Sequence, residues 1–352
     1  YWAGGNPFHH HQNLARLRKA WEKPSTVIVN EWCWNALARH ADIILPCTTT
    51  LERQDIGMTP RDPFVISMDK AIEPIGEAKN DYDIFAGIAR NMDTKDAFTE
   101  GRSAEDWQEW IWEQSRERAA KLNVEMPEYQ SFRKTGFYKS PELNEDRIFL
   151  SDFFYDPDTN PLKTPSGKIE IFSETIDSFD YDNCPGHPTW MEPAEWLGAK
   201  NKTYPLHLIS NQPRTKLHSQ MDNGALSSSI KIKGHQPLEI NPVDAIARSI
   251  TEGDIVKVFN GRGACLCGAN ITNDVMPGVV IISTGSWYDP VDPADLNSMC
   301  KHGNPNVLSP DIGTSKLGQG PAAHSCLVEI ELYEGPAQNI TAFNPPEIIK
   351  KK

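Results

Sequence analysis

Several features that would settle a protein's class are missing from this chain of 352 residues. No apolar run approaches the roughly 20 residues that a membrane-crossing helix needs; the longest, such as VVII at Val279–Ile282, have the length of a strand. Cysteine is sparse and scattered: Cys33, Cys47, Cys184, Cys265, Cys267, Cys300 and Cys326 contain no C-x-x-C pair. An odd, dispersed set of this kind is a poor disulfide framework and a poor zinc or iron–sulfur site, so the residues read as buried or free thiols. Basic residues are in deficit, 35 Lys and Arg against 48 Asp and Glu, for a formal net charge of −13. That balance argues against a nucleic-acid binder, which must neutralise phosphates. It carries no positive message about acidic function, because many soluble enzymes share it. G-x-x-x-x-G-K-[ST] is absent, which excludes P-loop chemistry. No Ser–His–Asp order, paired-carboxylate spacing, internal repeat or low-complexity tract stands out. A signal peptide is missing too, but the chain opens YWAGGNPFHHHQ without Met and reads as entering the middle of a domain, so this absence carries no weight.

What is present fits a globular chain of two or three domains with 39% hydrophobic residues. Up to about residue 100, helix-like and strand-like pieces alternate. HHHQNLARLRKAWEK has helical spacing at Leu14, Leu17 and Trp21, STVIVNEW (Ser25–Trp32) is a β-branched run, and ALARHADIILPCTT gives a helix and then a strand stopped by Pro46. NDYDIFAGIARNM (Asn80–Met92) reads as a helix with acids near its start. This rhythm predicts an α/β layered domain with parallel strands. Residues 101–202 form a connector: a long Trp-rich amphipathic helix (Ala104–Leu122), then a Pro- and Asp-rich stretch in which KIEIFS (Lys168–Ser173) is the clearest strand candidate. From residue 203 the chain is β-rich. YPLHLIS, GDIVKVFNGRG, CLCGANITNDV, GVVIISTGSW and SCLVEIELYE fit strands, INPVDAIARSI a short helix, and the spacing predicts a closed barrel.

The chemistry-bearing residues are spread along the chain. His9–His11 invites a metal reading, but adjacent histidines do not share a helix face and no Cys, Asp or Glu partner cluster accompanies them. A better reading is that Gly4-Gly5-Asn6-Pro7 turns the chain into a helix whose amides, with His10, face an anionic or polar ligand. Asn30 and Glu31 end a β-branched strand, where a polar residue can meet a ribose hydroxyl or simply begin a solvated loop. Arg53 faces a phosphate or belongs to a surface turn. SNQPRTKLHSQ (Ser210–Gln220) follows a strand and carries Arg214, Lys216 and His218; it is either a pyrophosphate loop or an ordinary basic hairpin loop. The long Gly- and Asn-rich segment His302–Ser325 offers the amides of Asn304, Asn306 and Gln319 to base or pterin edges.

Taken in order, GGNPFHHHQ, ARHADIILPCTTTLER, NDYDIFAGIA, TPSGKIEIFSE, GHPTWMEPAEWLG, SNQPRTKLHSQ, INPVDAIARSI, GDIVKVFNGRG, VMPGVVIISTGSWYDP and HGNPNVLSPDIGTS span nearly the whole chain. Together they resemble the dimethyl sulfoxide reductase family of molybdopterin oxidoreductases, in its trimethylamine-N-oxide and biotin-sulfoxide reductase branch. The resemblance implies an α/β layered domain, present in part over residues 1–100, a connector over 101–202, and a β-rich double-psi barrel domain over 203–352 that binds a molybdopterin dinucleotide.

It implies a bis(molybdopterin guanine dinucleotide) molybdenum cofactor and reductive oxygen-atom transfer from S-oxides or N-oxides. The electron donor would be a c-type cytochrome or a soluble reductant. Cofactor contacts carry over onto Asn6, His10, Asn30, Glu31, Arg53, Asp81, Ser210, Asn211, Gln212, Pro213, Lys216, His218, Ser219, Gln220, Asn306 and Gln319. Glu31 departs from the Asp expected at its position. The metal ligand and the catalytic side chains belong to an N-terminal half that no part of this sequence matches, so this chain is expected to grip the cofactor without turning over alone. The compartment is expected to be the periplasm, by twin-arginine export, ahead of the cytoplasm. A formate dehydrogenase or nitrate reductase relative, and a non-enzymatic nucleotide-binding barrel, are the rival readings.

Overall fold

The computed structural model describes residues 1–141 and 148–349. The chain forms two compact units, each assembled from separated stretches. Tyr1–Gly4, Ile28–Cys33 and Ile43–Lys168 make the first; Gly5–Val27, Trp34–Asp42 and Ile169–Lys352 contain the second.

In the first unit, β1 (Trp2–Ala3), β2 (Ile28–Glu31) and β3 (Ile43–Pro46) pair in parallel in the order β1-β2-β3. This is the expected α/β layering. Asn30 and Glu31 stand at the carboxyl end of the central strand, where parallel sheets present ligand contacts. The sequence reading missed a second, antiparallel sheet of β4 (Asp55–Met58), β5 (Phe64–Met68) and β6 (Phe137–Lys139). One face of it packs Ile56, Val65 and Tyr138 against a core of Trp112, Tyr129 and Phe132. Trp112 stacks on Phe132 with ring centroids 3.8 Å apart, and its indole N–H donates to the Pro127 carbonyl at 2.9 Å. Each such buried aromatic stabilises the unit by about 3 kcal/mol. Trp112 sits mid-way along the helix Ala104–Ala120, which starts on a capping box: the Asp106 amide donates to Ser103 Oγ at 3.2 Å, and Asp106 Oδ2 accepts from the Ser103 amide at 2.8 Å.

In the second unit, β7 (Leu206–Ile209), β8 (Pro237–Ile240), β9 (Ile255–Asn260), β10 (Gly263–Ile271), β11 (Val279–Ile281) and β12 (Cys326–Leu332) close a barrel in the order β10-β8-β11-β7-β12-β9. The pairs β8/β10 and β7/β11 are parallel and the others antiparallel, in keeping with the expected double-psi barrel. Alternation places Val256, Val258 and Asn260 of β9 inward beside Leu208, Leu238, Ile240 and Leu266. Asn260 is the polar member of that set, and its amide donates to the carbonyls of Leu308 (2.9 Å) and Leu327 (3.1 Å). Arg262 grips Glu195 through both carboxylate oxygens at 2.5 and 2.9 Å, fastening the preceding segment to the barrel.

The early segment Gly5–Val27 belongs to this barrel unit. Gly4 and Gly5 turn at φ +77° and +73°, and Asn6 then caps the short helix Pro7–His10 by accepting from the Phe8 amide at 3.1 Å. Phe8 is fully buried and stacks on His40 at 4.1 Å.

Two strand expectations need correction. KIEIFS forms no strand: Ile169 and Ile171 are largely exposed, and the alternating pattern finds no neighbouring strand to pair with. PLEI in β8, passed over in the sequence, is a central barrel strand.

Candidate functional site

Each unit presents its own site. In the first, a cavity of about 480 Å³ is lined by Arg53, Asp81, Tyr82, Phe98, Trp107 and their neighbours. Asp81 opens the helix Asp81–Asn91, and its Oδ1 accepts from the Asn30 amide at 2.7 Å, while Asn30 Oδ1 accepts from the Tyr1 hydroxyl at 2.7 Å. Arg53 is held at the rim by the Thr48 carbonyl (3.1 Å) and Asp55 (3.2 Å). The structure therefore brings Asn30, Asp81 and Arg53 together. Glu31 lies at the next strand position, and its Oε1 accepts from the Trp32 amide at 3.2 Å. Nearby, burial foremost, with Glu31 and Cys47 adding to it, pushes the Cys33 thiol up to about 12, so it is no thiolate.

Sequence reasoning missed the aromatic side of this cavity. Trp107 donates through its indole N–H to the Tyr82 hydroxyl at 3.1 Å, Tyr82 lies 5.6 Å from Phe98 ring to ring, and the Arg102 guanidinium sits 4.5 Å above Trp107. The signal available was a Tyr beside the helix-opening Asp81 and a Trp one turn into the next long helix. Flat aromatic faces with an acid and an arginine suit a purine nucleotide.

In the barrel unit the loop Ser210–Gln220 leads away from β7. Lys216 was expected to offer its cation outward, but its ammonium is turned in. The side chain is fully buried and donates to Asp222 Oδ1 at 2.7 Å and Gln236 Oε1 at 3.1 Å. Lys231 reaches the same Asp222 oxygen at 3.0 Å and His302 Nε2 at 2.6 Å. His302 Nδ1 lies 2.9 Å from the Trp287 carbonyl, which can only accept, so Nδ1 carries the ring proton and Nε2 accepts from Lys231. Burial pushes the Asp222 carboxyl up, but Lys231, His302 and Lys216 outweigh it and hold it below the ordinary carboxylate value. Burial lowers His302 to about 3, and Lys231 adds to the effect. His9, stacked on Trp287 at 5.4 Å, is likewise lowered to about 3, chiefly by burial. Both histidines are neutral at pH 7, so two lysines face one aspartate and one buried positive charge is in excess.

Among the described residues, the buried atoms without a partner include three in this unit: His9 Nε2, whose ring feels Asp222 and Lys216, Thr215 Oγ1, next to Lys216 in the chain, and Asn6 Nδ2. Unpaired buried groups cost about 1–3 kcal/mol each, which a bound polar ligand offsets. The close packing below the loop demands a glycine. A Cβ on Gly285 (φ +97°) would lie 1.7 Å from the His218 carbonyl oxygen and 3.1 Å from Lys216 Cε.

The other expected contacts fall as follows. Asn211 Oδ1 accepts from Ser283 at 2.7 Å, Gln212 donates to the Lys216 carbonyl at 3.0 Å, and the Ser219 carbonyl accepts from the Trp287 indole at 2.9 Å. Ser210 and Pro213 are half-buried, and Gln220 and His218 exposed, His218 at φ +50°. His10 is exposed, and its imidazole is lowered by partial desolvation of the ring and then by His11 and His218. Asn306 donates to the His9 carbonyl at 2.9 Å and Asn304 to the Phe8 carbonyl at 3.0 Å, so these amides hold the helix Pro7–His10 from behind. Gln319 is exposed and bonds only locally, to the Lys316 carbonyl at 3.1 Å. Asp222, Lys231, Gln236, Ser286 and His302 were not foreseen; nothing in their spacing marks them as neighbours.

The family described as molybdopterin oxidoreductase matches residues 1–91, and the molybdopterin dinucleotide binding domain matches residues 206–327. Over these two stretches the chain is similar to molybdopterin oxidoreductases. Among its relatives, the dimethyl sulfoxide/trimethylamine N-oxide reductase of Cereibacter sphaeroides is 46% identical over 99% of this chain and 43% of its own length. A biotin sulfoxide reductase of the same organism is 43% identical over 96% of this chain and 45% of its own. The chain thus spans less than half the length of these relatives. Acetylene hydratase from Pelobacter acetylenicus shares the fold, with a TM-score of 0.71 at 19% identity over 94% of this chain and 43% of that one.

Proposed function

We propose that this chain is the cofactor-gripping portion of a molybdopterin oxidoreductase that reduces S-oxides or N-oxides, and that it holds bis(molybdopterin guanine dinucleotide). The observation that carries the reading is that the unit holding one excess buried positive charge also holds the unpartnered buried atoms Asn6 Nδ2, His9 Nε2 and Thr215 Oγ1. An anionic dinucleotide with polar pterin edges supplies the missing partners. When bound, the molybdenum pterin supplies two-electron oxygen-atom transfer chemistry.

The chain's own residues bind and orient. Asp81, held in place by the Asn30 amide, offers an acceptor to a purine edge, Trp107 and Tyr82 a stacking surface, and Arg53 a charge for phosphate. In the barrel unit, His9, Asn6 and the loop Ser210–Gln220 meet the anionic part of a dinucleotide, with His10 and His218 nearby. Neutral His9 offers Nε2 as an acceptor or a donor according to its tautomer. An electron donor such as a c-type cytochrome, and a periplasmic location, belong to the same reading.

The test is to produce this chain together with a polypeptide supplying the remaining length of the reductases, in a host that makes the molybdenum pterin. The complex is expected to retain molybdenum and guanine nucleotide and to reduce trimethylamine N-oxide or dimethyl sulfoxide. A folded complex without molybdenum by elemental analysis overturns the reading.

A further inference from the structure

We propose that Lys231 is a positioning residue that controls anion binding by the barrel unit through its own protonation. As an ammonium it holds Asp222, and through Asp222 Lys216, beneath the loop Ser210–Gln220; on losing its proton it removes the excess positive charge from below that loop. The inference rests on the reading that this loop holds part of an anionic dinucleotide.

The geometry is that of a closed network. Asp222 Oδ1 accepts from Lys216 at 2.7 Å, Lys231 at 3.0 Å and Ser227 at 3.2 Å, while Oδ2 accepts from the Trp287 amide at 3.1 Å. Gln236 Oε1 accepts from both Lys216 (3.1 Å) and Ser286 (2.7 Å). Every acceptor on Asp222 is therefore engaged, and no second carboxylate shares the load of two lysines among these contacts. Two like charges beside a single counter-ion is a costly arrangement inside a protein. It becomes favourable when an anion completes the balance.

Lys231 is the member of the pair able to change charge. Its side chain is nearly buried and faces Asp222, Lys216, His302, Cys300 and the ring of Phe343, 5.3 Å from the ammonium; the His235 imidazole also feels it. Burial is the main cause that lowers its pKa to about 8, Lys216 adds repulsion, and Asp222 opposes both. His302, held neutral with Nε2 toward Lys231, can accept from either the ammonium or the amine. The network thus keeps its hydrogen bonds when the proton leaves, and only the charge changes. The sign follows: the cation is present below about pH 8 and is lost as pH rises, so anion binding weakens in that direction.

The experiment measures binding of GDP to the 352-residue chain by calorimetry from about pH 7 to about pH 9.5, for wild type, Lys231→Met and Lys231→Arg. Comparing variants at each pH cancels the ionisation of GDP itself. Removing one charge about 10 Å from an anion at an effective dielectric of about 20 weakens binding by about tenfold. Lys231→Met is therefore expected to bind about tenfold more weakly at the low end and to match wild type at the high end. Lys231→Arg, which stays charged, should match wild type at the low end and exceed it by a similar factor at the high end. GDP binding that Trp107→Leu abolishes belongs to the first unit and removes the barrel's nucleotide reading; where binding persists in Trp107→Leu, a ratio independent of pH in either folded variant means a merely structural lysine and overturns the proposal. If Lys231→Met does not fold, the Lys231→Arg profile decides alone. Wild type that binds no GDP at any pH removes the nucleotide-holding reading itself, and the proposal with it.

Discussion

Substituting Gly285 by alanine tests whether the loop Ser210–Gln220 is fixed by backbone packing rather than by side chains alone. The new Cβ would lie 1.7 Å from the His218 carbonyl oxygen and 2.5 Å from its carbon. These atoms are main chain and cannot rotate away, so the loop has to shift by about 1.5 Å to reach ordinary contact, and such overpacking costs about 1–3 kcal/mol. The residue also sits at φ +97°, a conformation that costs a non-glycine residue a further 1–3 kcal/mol or so. A total of about 4 kcal/mol is expected. Gly253 supplies the control in the same unit: φ is +78°, yet nothing lies within 4 Å of its added Cβ. Gly253→Ala should cost only about 1 kcal/mol, from conformation alone. The difference of about 3 kcal/mol is roughly a hundredfold in the opening equilibrium. Amide hydrogen exchange resolved to peptides is the suitable assay, because a chain with two compact units need not unfold in one step. Gly285→Ala is expected to raise exchange in the loop and around Trp287 far above the Gly253→Ala level. Equal costs for the two variants, with the loop's exchange unchanged, would refute the close-packing argument.

Three further outcomes follow from the same contacts. Asp222→Asn leaves Lys216 and Lys231 without their counter-ion and is expected to destabilise the barrel unit by about 3–5 kcal/mol in urea melts. The folded-state pKa values of His9 and His302, about 3, and of His40, about 4, lie below the unfolded 6.5, so the unfolded state takes up protons first as pH falls. Stability from these histidines is full above about pH 6.5 and is lost toward their folded values, with a slope of up to about 1.4 kcal/mol per pH unit each; urea midpoints that stay level between about pH 6.5 and 4.5 contradict this. Trp107→Leu removes the stacking face of the first unit's cavity and is expected to weaken guanine nucleotide binding by about 1–3 kcal/mol, read by fluorescence titration, with barrel stability unchanged.

Much of the fold was legible because its elements obey one period each. Leu14, Leu17 and Trp21 mark a helix, and the alternation in IVKVFN marks a barrel strand whose buried residues are every second one. The same rule misled at KIEIFS, where alternation is present but a pairing partner is not. It was silent at PLEI, four residues between a glutamine and the Asn241 cap, where strand character comes from β10 and β11 on either side. At the candidate sites, residue types were readable and directions were not. Asn30 and Asp81 look like ligand contacts from their positions at a strand end and a helix start, and they meet across 51 residues of sequence. Lys216 looks like a phosphate ligand until Asp222 and Gln236 are seen to hold it inward. Burial decides that question, and burial depends on Lys231 and His302, which lie too far along the chain for spacing to reveal.

The amides of Asn304 and Asn306 that hold the carbonyls of Phe8 and His9 tie together points almost 300 residues apart. The same stitching recurs where Ser309 accepts from the Asn13 amide at 3.1 Å and where Arg18 donates to the Pro293 and Asp295 carbonyls. Its consequence concerns birth rather than function. A ribosome adding about 5–20 residues per second releases Phe8 roughly 15 to 60 seconds before Asn304, which holds its carbonyl, exists. For that interval Phe8 can meet His40 and Trp21 but not the late segment that holds its helix, while Ile43–Lys168 can already collapse on its own core. Such a chain depends on being shielded during synthesis, and slowing translation near its end prolongs the exposure.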